Sequence, residues 1–164
     1  MLTSTDLTQY IQSHQIAAEL LSLPVQTPTV EDAAMAVGTS PDNIVKTLLF
    51  LVAGEPVMAI ACGKDNVDRR SIAAHFGVGR KRVKLADAAT VLAITGYPVG
   101  AVPPFGLQGQ PTTLVDQRVL HRDVVYAGGG GIDTLVRVSP HEIARVTNAI
   151  EIDLLSPPTP QDPR

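Results

Sequence analysis

Apolar positions recur along the first part of the chain at helical spacing and then switch to the spacing of strands. After the polar start at Ser4 and Thr5, Leu7, Tyr10, Ile11 and His14 fall on one face at intervals of three and four, which predicts a first helix. A second is predicted from TVED, where Thr29 caps, Asp32 stands at the third helical position and Gly38 closes the helix. The period then changes. IVKTLLFLV (Ile44 to Val52) and VMAIAC (Val57 to Cys62) are short apolar runs around AGEP, the pattern of a hairpin in a buried sheet. Further helices are predicted near Val67 to Phe76, Ala86 to Ile94 and Pro140 to Thr147. The last is announced by Ser139 as cap, Pro140 in the first turn and Glu142 as capping-box acid. VGAV, TTLVD, DVVYA, LVRVS and AIEID read as strands.

Strands joined largely by hairpins and interrupted by peripheral helices predict a single α+β domain rather than a doubly wound parallel sheet. That domain is expected to occupy residues 1–155, with SPPTPQDPR (156–164) a disordered end. The chain has 164 residues, 45% of them hydrophobic, enough for a substantial core. With no signal-type start and no apolar run of membrane-spanning length, the expected setting is cytoplasmic, without a membrane partner.

Net charge is −3, which excludes a strongly basic nucleic-acid coat, but the average conceals an asymmetry. Residues 1–45 hold no Lys or Arg, whereas seven of the thirteen basic residues fall between Lys64 and Lys84, against only Asp65 and Asp68. GRKRVK within that segment is either a solvated face or a local patch that engages a few phosphates.

The candidate chemistry is sparse. No phosphate-loop or dinucleotide fingerprint occurs, and no Cys or His cluster has metal-ligand spacing, so no metal and no cofactor are expected. Cys62 sits in an apolar run as a small core residue. The four histidines are dispersed and no GxSxG elbow supplies a serine for any of them. Lys46 stands out because it interrupts the most apolar run of the chain, where an ammonium must either snorkel to water or face a polar cavity. GYPVGAVPPFG (Gly96 to Gly106) packs three glycines and three prolines into eleven residues, and Tyr97 is its sole side chain capable of acid–base chemistry. Any function there comes from backbone and shape, either as a stiff cover over a sheet edge or as a pocket wall. Gly128 to Gly131 suits a hairpin turn, and Asp116 ends TTLVD as a turn acid or as an orienting group.

EDAAMAVGTSPDNIVKTLLF, followed by GYPVGAVPPFG and then VVYAGGGGIDTLVRVSPHEI, resembles the YbaK/prolyl-tRNA synthetase-associated editing domain family from about Thr29 to Thr147. The resemblance implies a mixed α+β fold around a curved sheet. It implies an aminoacyl-tRNA deacylase, a carboxylic ester hydrolase that corrects wrongly charged tRNA, notably proline tRNA carrying Ala or Cys. Lys46 matches the family's critical lysine and would place the substrate and stabilise developing charge. Gly100 and Pro104 match the GxxxP loop, so that Gly100, Ala101, Val102, Pro103 and Pro104 would hold the aminoacyl-adenosine end together with Gly128 and Gly129. Under that reading Arg80, Lys81 and Arg82 would contact the tRNA, while Asp116 stays either a turn acid or a group that orients part of the substrate pocket. This chain departs from some members in having Ala127 where they carry serine, and in having Gly130 and Gly131 where they carry a basic residue or Asn. The implied partners are aminoacyl-tRNA and a prolyl-tRNA synthetase. Two alternatives stand beside this one: a non-catalytic tRNA- or synthetase-binding relative, and a small-molecule ester or amide hydrolase.

Overall fold

The computed structural model describes residues 1–155; the expectation for SPPTPQDPR lies outside them. Helix α1 (Ser4–Ser13) opens on a capping box in which the Asp6 carboxylate accepts from the amide of Thr3 at 2.7 Å, and it buries Leu7 and Ile11. The chain then forms β1 (Ala18–Ser22) and α2 (Val30–Val37). The latter is capped by the Thr29 hydroxyl accepting from the Asp32 amide at 3.0 Å and closed by Gly38 at φ +71°. A 3-10 turn, Pro41–Asn43, leads into β2 (Val45–Val52) and its hairpin partner β3 (Glu55–Cys62).

The alternation within that hairpin builds the core on both of its faces. Val45 and Leu49 of β2, with Met58, Ile60 and Cys62 of β3, join the larger apolar cluster, whereas Phe50 and Val52, with Val57 and Ala59, join a second one on the other face. Burial on both sides is why these two runs read as continuously apolar.

Beyond the hairpin lie α3 (Arg69–Phe76), β4 (Val83–Leu85), α4 (Ala88–Thr95), β5 (Thr112–Asp116), α5 (Gln117–Leu120), β6 (Val125–Gly128), β7 (Thr134–Val138), α6 (Pro140–Thr147) and β8 (Ile150–Ile152). The larger sheet runs β4-β2-β3-β5-β8, antiparallel through β4, β2 and β3 and parallel from β3 through β5 to β8. A second, antiparallel sheet runs β1-β7-β6. One parallel bridge, Ile44 to Tyr126, links the two. The architecture is the expected mixed α+β domain, its strands divided between two open sheets.

Several elements differ from expectation. VGAV is not a strand: Gly100 takes φ +88°, and the Ala101 amide closes a turn onto the Pro98 carbonyl at 3.1 Å, so four extended residues cannot form there. β1, β4 and α5 were not legible in the sequence; β4 and α5 are three and four residues long. Ser139 does cap α6, its hydroxyl accepting from the His141 amide at 3.3 Å. Glu142, however, does not reach back to the cap and instead receives Arg145 Nε at 2.9 Å.

Candidate functional site

Because β4 pairs only with Phe50, Leu51 and Val52, the edge of β2 from Lys46 to Leu48 has no strand on that side among the described residues. A cavity of about 290 Å³ opens there. Its walls come from that edge, from the loop before α2 and its first turns (Thr27 to Ala33), from Leu85 and Ala86 after β4, and from Val91 of α4. Val99, Gly100 and Val102 of the glycine–proline loop and Gly128 and Leu135 of the second sheet complete it. The lining is mostly aliphatic, and Lys46 is its sole ionisable side chain.

Lys46 is half-buried, and its Nζ donates to the main-chain carbonyl of Asp65 just beyond β3. Burial lowers its pKa from the ordinary lysine value, while the nearby carboxylates of Asp65 and Glu31 pull it back up. Of the two fates open to a lysine in this strand, the structure shows a residue in the wall of a cavity whose ammonium is tethered to the Asp65 carbonyl. Glu31 is itself paired with Lys64 across 3.6 Å.

The glycine–proline loop and the tetraglycine are held together by backbone. The Gly130 amide donates to the Ala101 carbonyl at 2.9 Å, and a Cβ on Gly128 would stand 2.4 Å from the carbonyl oxygen of Val102. At Gly128 the absence of a side chain permits that approach. Gly129 is packed as tightly against Thr134, 2.7 Å from its carbonyl carbon to the position of a Cβ, but does not line the cavity. At Gly100 a Cβ would meet nothing within 4 Å, so glycine is required there by its positive φ and not by a neighbour.

Of the predicted residues, the structure brings Lys46, Gly100, Val102 and Gly128 to one cavity. Ala101, Pro103 and Pro104 are buried behind it as the support of the loop. Tyr97 is fully buried, its hydroxyl without a partner among the described residues, and burial pushes its pKa up to about 12, so it keeps its proton. Asp116 lies elsewhere. Its fully buried carboxylate accepts from the Leu154 amide at 2.7 Å and from the Arg118 amide at 3.1 Å and pairs with the Arg118 guanidinium, which places it as a structural anchor outside the cavity. Arg80, Lys81 and Arg82 form an exposed 3-10 turn ahead of β4. The Arg82 carbonyl accepts from Ala53 at the hairpin turn, six strand residues or about 20 Å from Lys46. These cations therefore do not touch the cavity; Lys84 and Leu85 connect them to its rim.

Thr47 is a cavity residue that the sequence analysis passed over. Its hydroxyl is buried and has no hydrogen-bond partner among the described residues. A polar residue beside Lys46 in an otherwise apolar run was the available signal. Among the described residues no group of three or more His, Cys, Asp or Glu is placed to hold a metal ion, and no helix is long and apolar enough to cross a membrane.

The aminoacyl-tRNA editing domain family matches residues 25–146, which span every wall of this cavity. The chain belongs to that family. An uncharacterised Bacillus subtilis protein, YwhH, is 30% identical over 117 residues, covering 71% of this chain and 73% of its own. The proline–tRNA ligase of Nitratidesulfovibrio vulgaris strain DP4 is 34% identical over 124 residues, 74% of this chain but 21% of the ligase. The chain thus spans about a fifth of the length of the ligases it matches. Among solved structures, hypothetical protein APE2540 superposes with a TM-score of 0.85 at 34% identity, covering 92% of this chain and 99% of that one. A structure described as a candidate trans-editing enzyme for prolyl tRNA synthetase superposes with a TM-score of 0.87 at 26% identity, covering 96% and 100%. The editing-domain fold therefore extends over nearly the whole described chain.

Proposed function

We propose that this editing domain acts in trans as an aminoacyl-tRNA deacylase, hydrolysing the ester of proline tRNA mischarged with Cys or Ala. The observation that carries the proposal is the meeting of Lys46, the Gly100 turn and Gly128 at one small, mostly aliphatic cavity. An aminoacyl ester is already activated, so the site need only place a water and stabilise the charge that develops on the carbonyl oxygen. The Lys46 ammonium, held at the wall by Asp65, supplies the charge. The stiff loop from Gly100 to Pro104 fixes the ester while losing little entropy on binding. The neighbouring ribose hydroxyl of the tRNA takes part in orienting the water, so no side-chain base is required. A cavity of about 290 Å³ walled by Val91, Val102, Leu49 and Leu135 suits a small aminoacyl group. The exposed cations from Arg80 to Lys84 take phosphates of the tRNA body, and a prolyl-tRNA synthetase in the same cytoplasmic compartment supplies the mischarged substrate.

Incubation with a panel of tRNAs carrying Pro, Ala, Cys and Ser tests the proposal. Release of Ala or Cys from proline tRNA, with cognate prolyl ester left intact, is the expected result. Binding of tRNA without turnover, or equal turnover of simple aminoacyl esters, overturns it.

A further inference from the structure

Thr47 carries a buried hydroxyl with no partner among the described residues. A hydroxyl in that state costs stability, because the hydrogen bonds it makes to water in the unfolded chain are not replaced. Thr47 lines the cavity next to Lys46 and alternates along β2 with Val45 and Leu49, on the face that carries Val91 and Val102 in the same apolar cluster. The cavity's other hydroxyls belong to Thr27 and Thr29, on the loop before α2, and that of Thr29 is occupied by the Asp32 amide. On the wall formed by β2, α4 and the Val99 to Val102 loop, Thr47 is the one residue with a side-chain oxygen.

We propose that Thr47 is a specificity-determining residue: its hydroxyl pairs with the polar tip of a small aminoacyl side chain and selects a thiol over a methyl. The inference rests on the deacylase reading and deepens it by choosing Cys over Ala. One staggered step about χ1 carries the threonine hydroxyl into the place of its methyl, and an aminoacyl group in the cavity gives the hydroxyl so turned the partner it lacks. A cysteinyl thiol both donates and accepts weakly and is inexpensive to desolvate, so it fits one oxygen in an aliphatic wall. A seryl hydroxyl loses more hydration on entry and regains one bond; an alanyl methyl leaves Thr47 as unpaired as before.

The test measures kcat/KM for Cys-, Ser- and Ala-charged proline tRNA with wild-type protein, Thr47→Val and Thr47→Ser. Valine has nearly the volume of threonine, so the cavity keeps its size. The expected result is a fall of about ten-fold in the Cys value for Thr47→Val, Ala changing less than two-fold, and Thr47→Ser retaining the preference for Cys. The melting temperature of Thr47→Val should equal or exceed that of wild type, since an unpaired hydroxyl is removed. Equal losses on Cys and Ala, or an unchanged ratio, overturn the role of Thr47 while leaving the deacylase reading in place. A wild-type protein that hydrolyses none of the esters overturns the deacylase reading instead. In that case calorimetry with amide-linked cysteinyl- and alanyl-adenosine decides Thr47: tighter cysteinyl binding that Thr47→Val abolishes supports it, and any other result overturns it.

Discussion

Gly128 and Val102 approach so closely that a Cβ on the glycine would stand 2.4 Å from the valine carbonyl oxygen. Their contact fastens the second sheet to the glycine–proline loop, and the Gly130 amide bonded to Ala101 at 2.9 Å fastens it again two residues on. Two stretches of sequence with hardly a reactive side chain between them thereby become one wall of the cavity.

Gly128→Ala should therefore force the two loops apart. A loss of about 1–3 kcal/mol is expected, as for other overpacked sites, together with loss of deacylation because both loops line the cavity. Thermal or urea unfolding and the tRNA assay measure the two effects. Unaltered stability would show that the contact gives way freely.

Gly100→Ala is expected to behave differently, since the new methyl meets open space and the cost is that of φ +88° alone. About 1–2 kcal/mol is expected for a non-glycine residue in that region. Hydrolysis should fall more than affinity for uncharged tRNA, because the turn places the ester whereas distant phosphate contacts hold the tRNA. Parallel loss of both quantities would mean that the loop serves general binding.

Lys46→Met should abolish deacylation without lowering the melting temperature. Its pKa is lowered in the folded state, so between that value and 10.5 the unfolded chain binds more protons and stability rises with pH. Lys46 thus opposes folding while charged, and the burden is relieved as pH climbs toward 10.5. The variant should lack this alkaline rise when melting temperatures are compared from pH 8 to 10; a melting temperature that drops at pH 7 would contradict the argument.

Neutralising Arg80, Lys81 and Arg82 should weaken tRNA binding and flatten its dependence on salt. Each lost phosphate contact reduces the slope of log K against log salt by roughly 0.7 to 0.9. Since this turn stands about 20 Å along the strands from Lys46, turnover of a saturating substrate should be unchanged. An unchanged slope would leave the turn as plain solvated surface.

Asp116→Ala should cost about 1–3 kcal/mol, the range for leaving buried donors unsatisfied, since Arg118 is partly exposed and stays paired with Asp153. It removes the acceptor of the Leu154 and Arg118 amides and leaves the cavity lining intact. Denaturant unfolding measures the loss. A folded variant that keeps its stability but loses catalysis would return Asp116 to the active site.

Features that depend on near neighbours were legible in the chain. Thr29, Gly38 and Ser139 mark helix ends because the hydrogen bonds they make or the φ they adopt lie within a few residues. The two strands of the β2–β3 hairpin needed only a two-residue turn, Ala53–Gly54, to find each other. Lys46, Gly100 and Gly128 were legible as candidates from residue type in context, and family resemblance gave them a common purpose. Features that depend on distant backbone were settled by the packed fold. It set β5 parallel to β3 and β8 parallel to β5, turned VGAV from a strand into a bend, and assigned Asp116 to the Leu154 amide 38 residues away. It also separated two glycines that look alike in sequence: one is required by a carbonyl on another segment, the other by its own φ. The hydroxyl of Thr47 belongs with these. Whether a buried hydroxyl has a partner is settled by every segment that packs around it, and no local pattern in the chain records that.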